Sequence, residues 1–139
     1  MRILALDPGE KKIGVALSDP TGLVARPLAT LPHISREADA ARIAALAAKH
    51  QAELILIGFA LDATDTRGPQ ARRAERLADA IHQHTAVPVT LHDESYSTQA
   101  AQATLLTTGK KRRTRREQVH AVAAAAILQS YLDAHPRRD

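Results

Sequence analysis

The chain has 139 residues, 45% of them hydrophobic and 24% charged, the composition of one ordinary globular domain spanning 1–139. Without cysteine it excludes a disulfide scaffold, cysteine-ligated zinc, iron–sulfur clusters and thiol catalysis; its longest apolar run, Ala121 to Leu128, falls far short of the ~20 residues that cross a bilayer. The net charge of +4 is concentrated: Lys110, Lys111, Arg112, Arg113, Arg115 and Arg116 are all basic, and without them the chain would be net acidic.

Met1 to Asp7 reads as a strand, Glu10 to Lys12 as a turn, Ile13 to Ser18 as a second strand and Val24 to Leu31 as a third, which together predict an antiparallel meander. Asp7 and Pro8 interrupt the N-terminal apolar stretch before it could serve as a signal peptide, so a cytosolic protein without membrane contact is expected. Ser35 is placed to cap a helix of about 15 residues, with Glu37 and Asp39 in its first turn and Lys49 and His50 in its last, as the helix dipole favours. Its apolar positions are read as Ala38, Ala41, Ala45 and Ala48, with Ile43, Leu46 and Ala47 alongside. The continuous apolar run Leu54 to Gly58 suits a central strand covered on both faces. Residues 59–68 form a polar loop, and Pro69 opens a second helix with Ala71, Ala74, Leu77, Ala78 and Ile81 at helical spacing. Val87 to Leu91 is a short strand ending in His92-Asp93-Glu94, and Ser97 can cap a helix reaching about Leu106. Thr114 and Glu117 fit a capping box ahead of a last helix from about Arg115 to Leu132. Three strands, then alternating helices and strands, predict an α/β fold with a mixed five-stranded sheet: three antiparallel strands, then two parallel ones, flanked by helices. Right-handed crossovers put the first strand centrally, its carboxyl end beside those of the two later strands.

That edge is where chemistry is expected. Asp7 closes the first strand ahead of Pro8-Gly9, and Glu94 stands just beyond the last strand. Asp7 alone can be read as a turn-forming residue, but two carboxylates converging from distant parts of a chain repel one another unless a cation lies between them. The basic residues of 110–116 suit a polyanion, although such a run also suits a solvated loop. The chain has only three aromatic residues, Phe59, Tyr96 and Tyr131, too few for a base-stacking platform, so nucleic acid would be held mainly by its phosphates. Gly9 to Gly14 has the glycine spacing of a phosphate-binding loop, but Val15-Ala16 stand where Lys and Ser or Thr are required. His82, His84 and His92, and Asp62 with Asp65, are read as ordinary surface and loop residues.

Across essentially its whole length the chain resembles the YqgF (RuvX) family, the Holliday-junction-resolvase or pre-16S ribosomal RNA nuclease group of the ribonuclease H-like superfamily. The opening segment Leu4-Ala5-Leu6-Asp7-Pro8-Gly9 through Ile13-Gly14 to Ser18-Asp19 is similar to the family's D-x-G-x-x-x-I-G-x-A-x-S-D signature. Ile57-Gly58 with Gly68-Pro69, Asp93-Glu94 with Ser97-Thr98, and Val119 to Gln129 are similar to its later motifs. Departures occur at Ala60, Asp65 and Ser95, and at His120, which stands where the family carries an acid on the last helix.

The resemblance implies a ribonuclease H-like fold and a nuclease in which Asp7, Glu94 and His120 hold one or two Mg²⁺ or Mn²⁺ ions. Asp7 would bridge the ions, and His120 would bind one or act as a general base near neutral pH. Glu117, one turn earlier, is an alternative ligand that the capping box turns away, and Asp19 is read as a supporting turn acceptor. The implied substrate is pre-16S ribosomal RNA, with branched DNA as the alternative, bound by a monomer or weak dimer. A catalytically inactive ribosomal RNA binding module is the competing reading.

Overall fold

A computed structural model describes residues 1–59, 68–93 and 112–135, with the side chains of 112–118 outside the description. Five strands form one sheet: β1 (Ile3–Pro8), β2 (Lys12–Ser18), β3 (Ala25–Pro32), β4 (Leu54–Phe59) and β5 (Val89–Asp93). Their spatial order is β3-β2-β1-β4-β5, so β1 is central as expected. β2 runs antiparallel to β1 and β3, while β4 is parallel to β1 and β5 to β4. β5 begins two residues later than the sequence suggests. Pro88 has no N–H to give to the ladder and instead offers its carbonyl to Ile55 N at 2.9 Å, at the threshold of the strand.

Alternation along the strands divides the core in two. Leu4, Leu6, Ile13, Val15, Ile55 and Ile57 face α1 (Arg36–Lys49) and α2 (Pro69–His82), while Ile3, Ala5, Ala16 and Leu56 face α3 (Arg112–Ala134). A fully buried Ile or Leu of this kind contributes ~2 kcal/mol. Ser35 caps α1 by accepting from Ala38 N at 3.1 Å. The buried face of α1 is Asp39, Ala40, Ile43, Ala44 and Ala47 rather than the Ala38–Ala41–Ala45–Ala48 stripe. Alanine occurs on every side of this helix, so the bulk of Ile43 sets its rotation.

α3 already includes Arg112, so Thr114 lies inside the helix and does not cap it, contrary to the expected capping box. The capping-box argument against Glu117 therefore falls. Arg112, Arg113, Arg115 and Arg116 belong to helical turns rather than to a loop, because arginine is a good helix former. The expected helix from Ser97 lies outside the described residues. No described helix is long and apolar enough to cross a membrane.

Candidate active site

Asp7 shares the parity of Ile3 and Ala5, so its carboxylate lies on the α3 face of the sheet at the carboxyl end of the central strand. Its register partner on β2 is Gly14. Above Gly14 runs the backbone of α3 at His120: a Cβ on Gly14 would collide with the His120 carbonyl and reach Ala121 N at 3.0 Å. Glycine at this position lets the helix lie directly on the strand. The same device recurs on β4, where a Cβ on Gly58 would meet Ile127 Cδ1 at 2.6 Å. Alanine at Ala124 and Ala125 completes the close approach. Farther along α3, Gln129 accepts from Ala25 N at 3.0 Å and donates to Leu23 O at 3.1 Å, which ties the helix to the start of β3.

This packing brings together Asp7 and His120, two of the three residues singled out for chemistry. Burial raises the Asp7 pKa above its ordinary value, and the charge of His120 acts in the opposite direction. Asp7 is half-buried, and among the described residues its carboxylate has no hydrogen-bond or ion-pair partner. A carboxylate in that condition is disposed to take a cation. Glu94 follows Asp93 of β5 directly in the chain and lies outside the described residues, as do Lys110 and Lys111. Among the described residues no group of three His, Cys, Asp or Glu side chains is gathered as a metal would need. His92 packs edge-on against Tyr131, with ring centroids 5.6 Å apart.

Asp19 is the turn acceptor expected of it. It receives Leu23 N at 2.9 Å, Val24 N at 3.0 Å and the Thr21 hydroxyl at 2.5 Å, and these bonds, the Thr21 hydroxyl foremost, lower its pKa to about 2. Asp39 has a role that sequence reasoning missed. It is 2% exposed and binds Ile34 N, the His33 ring and Arg42 Nη2, the last at 2.6 Å. Burial pushes its pKa up, but those donors outweigh it and hold the carboxyl below the ordinary value. Its only sequence signal was an acid in the first turn of a helix, which helix-dipole reasoning explains without burial.

A central strand bearing an aspartate at its carboxyl end, within a 3-2-1-4-5 mixed sheet, defines a ribonuclease H-like α/β protein. The model of the family described as "RuvX: Holliday junction resolvase" matches residues 1–134, and the chain belongs to that family. A relative from Myxococcus xanthus, named as a candidate pre-16S rRNA nuclease, is 42% identical over 135 residues, covering 97% of this chain and 89% of its own. Another of the same name, from Geobacillus kaustophilus, is 38% identical and is covered over 98% of its length. Among solved structures, T. thermophilus RuvC in complex with Holliday junction substrate superposes with a TM-score of 0.59 at 16% identity, over 96% of this chain and 94% of that one. The Fowlpox virus resolvase with Holliday junction DNA gives 0.59 at 12% identity, over 99% and 100%. At such identities these structures establish the fold alone.

Proposed function

We propose that the chain is a divalent-metal-dependent endonuclease that hydrolyses phosphodiester bonds in structured nucleic acid, with the precursor of 16S ribosomal RNA as its substrate. The observation that carries this reading is Asp7: a half-buried carboxylate, without a hydrogen-bond or ion-pair partner among the described residues, at the carboxyl end of the central strand and facing the last helix at His120. The donor chemistry fits a divalent cation, because a carboxylate that burial disfavours in its charged form is relieved by a bound positive ion. Asp7, Glu94 and His120 would hold one or two ions, Mg²⁺ or Mn²⁺, which when bound activate water and stabilise the leaving oxygen. His120 brings an imidazole nitrogen where oxygen ligands suit magnesium, so manganese is the better match. Lys110, Lys111, Arg112, Arg113, Arg115 and Arg116 would hold the phosphates next to the cut. The RNA reading is favoured over junction resolution by the names of the relatives near 40% identity and by the scarcity of aromatic residues for unstacking bases.

The test is cleavage of a structured 16S rRNA precursor by the purified protein with magnesium and manganese in separate reactions. Cutting that is lost in Asp7→Asn, together with a manganese preference that His120→Asp shifts toward magnesium, is the expected result. RNA binding without cutting by either ion would make the chain a binding module on a nuclease fold.

A further inference from the structure

The crossovers leave a second basic surface at the edge that carries Asp7, on the opposite face of the sheet. The β2–β3 pairing brings the end of β3 to Lys12, so α1 starts at this edge with Arg36, while α2, which follows β4, starts there with Pro69 and carries Arg72, Arg73 and Arg76. A groove of about 360 Å³ is lined, among the described residues, by Pro69 and these four arginines. It adjoins a cavity of about 270 Å³ whose wall includes Arg36, Arg73, Asp39, Glu10 and the Pro8-Gly9 turn that directly follows Asp7.

Arg36, Arg72 and Arg76 are exposed and Arg73 is half-buried, and none of the four is paired with a carboxylate among the described residues. Asp39, the buried carboxylate nearby, is already committed to His33, Arg42 and Ile34 N. Glu37 and Asp79 line a neighbouring hollow with Arg36 and Arg76 but not the groove itself. The first turn of α2 has no acidic residue and Gly68 gives it no side-chain cap, so its amide groups add to the positive potential. Like charges one turn apart on a helix, as at Arg72 and Arg76, destabilise it. Four guanidiniums lining one groove, with no carboxylate in its wall among the described residues, suit a polyanion whose charges recur along a chain.

We infer that Arg36, Arg72, Arg73 and Arg76 form a second phosphate-binding surface that holds the backbone of the RNA substrate on the α1–α2 face, after it has crossed the edge at Asp7. The inference rests on the nuclease reading for the identity of the RNA. With residues 112–116 on α3, the substrate is then gripped on both faces of the sheet.

The experiment compares the full-length wild type with Arg36→Ala/Arg72→Ala/Arg76→Ala on an RNA hairpin with single-stranded flanks, measuring Kd against salt concentration. Each lost phosphate contact removes about 0.7 to 0.9 from the logarithmic salt slope. We expect the slope to fall by about two and binding at low salt to weaken at least tenfold. The triple Arg→Lys variant is expected to keep the slope, and Lys49→Ala, at the far end of α1, to leave it unchanged. The melting temperature of the alanine variant is expected to stay at or above that of wild type, since mutually repelling charges are removed. A slope and Kd equal to those of wild type overturn the inference, as does a wild type that binds no RNA. A four-way DNA junction that depends on the three arginines while the hairpin does not overturns the assignment to RNA. Cleavage is scored separately: arginine-dependent RNA binding without metal-dependent cutting keeps this surface and defeats the nuclease reading.

Discussion

Replacing Gly14 by alanine sets a methyl group against main-chain atoms, since β2 carries the position and the α3 backbone at His120 and Ala121 lies over it. No rotamer change relieves that collision; the strand and the helix must separate by ~1 Å or more. Overpacking of a core costs ~1–3 kcal/mol where side chains can adjust, and here nothing but backbone can move, so a loss of about 3 kcal/mol or more is expected. The separation opens between Asp7, opposite Gly14 in the ladder, and His120. A ~1 Å misplacement of reacting groups lowers rates by about 10²-fold. Urea denaturation gives the stability, and single-turnover RNA cleavage with manganese gives the rate. A variant that unfolds at the wild-type urea midpoint and cuts at the wild-type rate would refute the claim that helix and strand touch at this point and that the contact sets the site.

Gly58→Ala meets a softer neighbour, the end of the Ile127 side chain at 2.6 Å, so the expected loss is ~1 kcal/mol; Ile127→Val removes the colliding Cδ1, and a double-mutant cycle should show recovery of part of that loss. Asp7→Asn is expected to raise the melting temperature at pH 7. The folded-state pKa of Asp7 lies above its ordinary value of 3.8, so the ionised carboxylate opposes folding once the pH rises through that range, and the gain should vanish below about 3.8. Added manganese should stabilise wild type and leave Asp7→Asn unchanged, as melting curves with and without the ion will reveal. Asp39→Ala leaves the Arg42 guanidinium, whose Nε is already buried without a partner, short of its counter-charge; a loss of ~3 kcal/mol is expected by chemical denaturation. Because the folded-state pKa of Asp39 is lowered, its contribution is present at neutral pH and is lost as the pH falls below 3.8, so the gap between wild type and Asp39→Asn should narrow in acid.

The strand and helix order was legible because β-branched runs and helical spacing signal locally, and the sheet order followed from crossover handedness. The rotation of α1 was not legible, since alanines stand both on its buried face at Ala40, Ala44 and Ala47 and on its exposed face at Ala41, Ala45 and Ala48. The start of α3 was missed because Thr114 with Glu117 imitates a cap, while the preceding arginines favour helix just as well. Of the candidate site, Asp7 was readable as the end of a strand, and His120 from its place in a family motif. That Gly14 brings the two together is a fact of packing between residues far apart in sequence. The arginine groove was invisible for a related reason. The basic run at 110–116 announces itself, whereas Arg36 and Arg72 to Arg76 are separated by a helix and a strand and become neighbours only when α1 and α2 pack side by side on the sheet.

Because α3 meets the sheet through main chain and small residues, the position of its backbone at residue 120 does not depend on which side chain stands there. The scaffold behaves as a tool holder: Gly14 and Gly58 fix where the shank sits, Gln129 stops it from sliding, and the tip is interchangeable. Under the proposed metal-binding role of residue 120, exchange of an acid for histidine at the tip would retune the metal preference while leaving the frame around it unaltered.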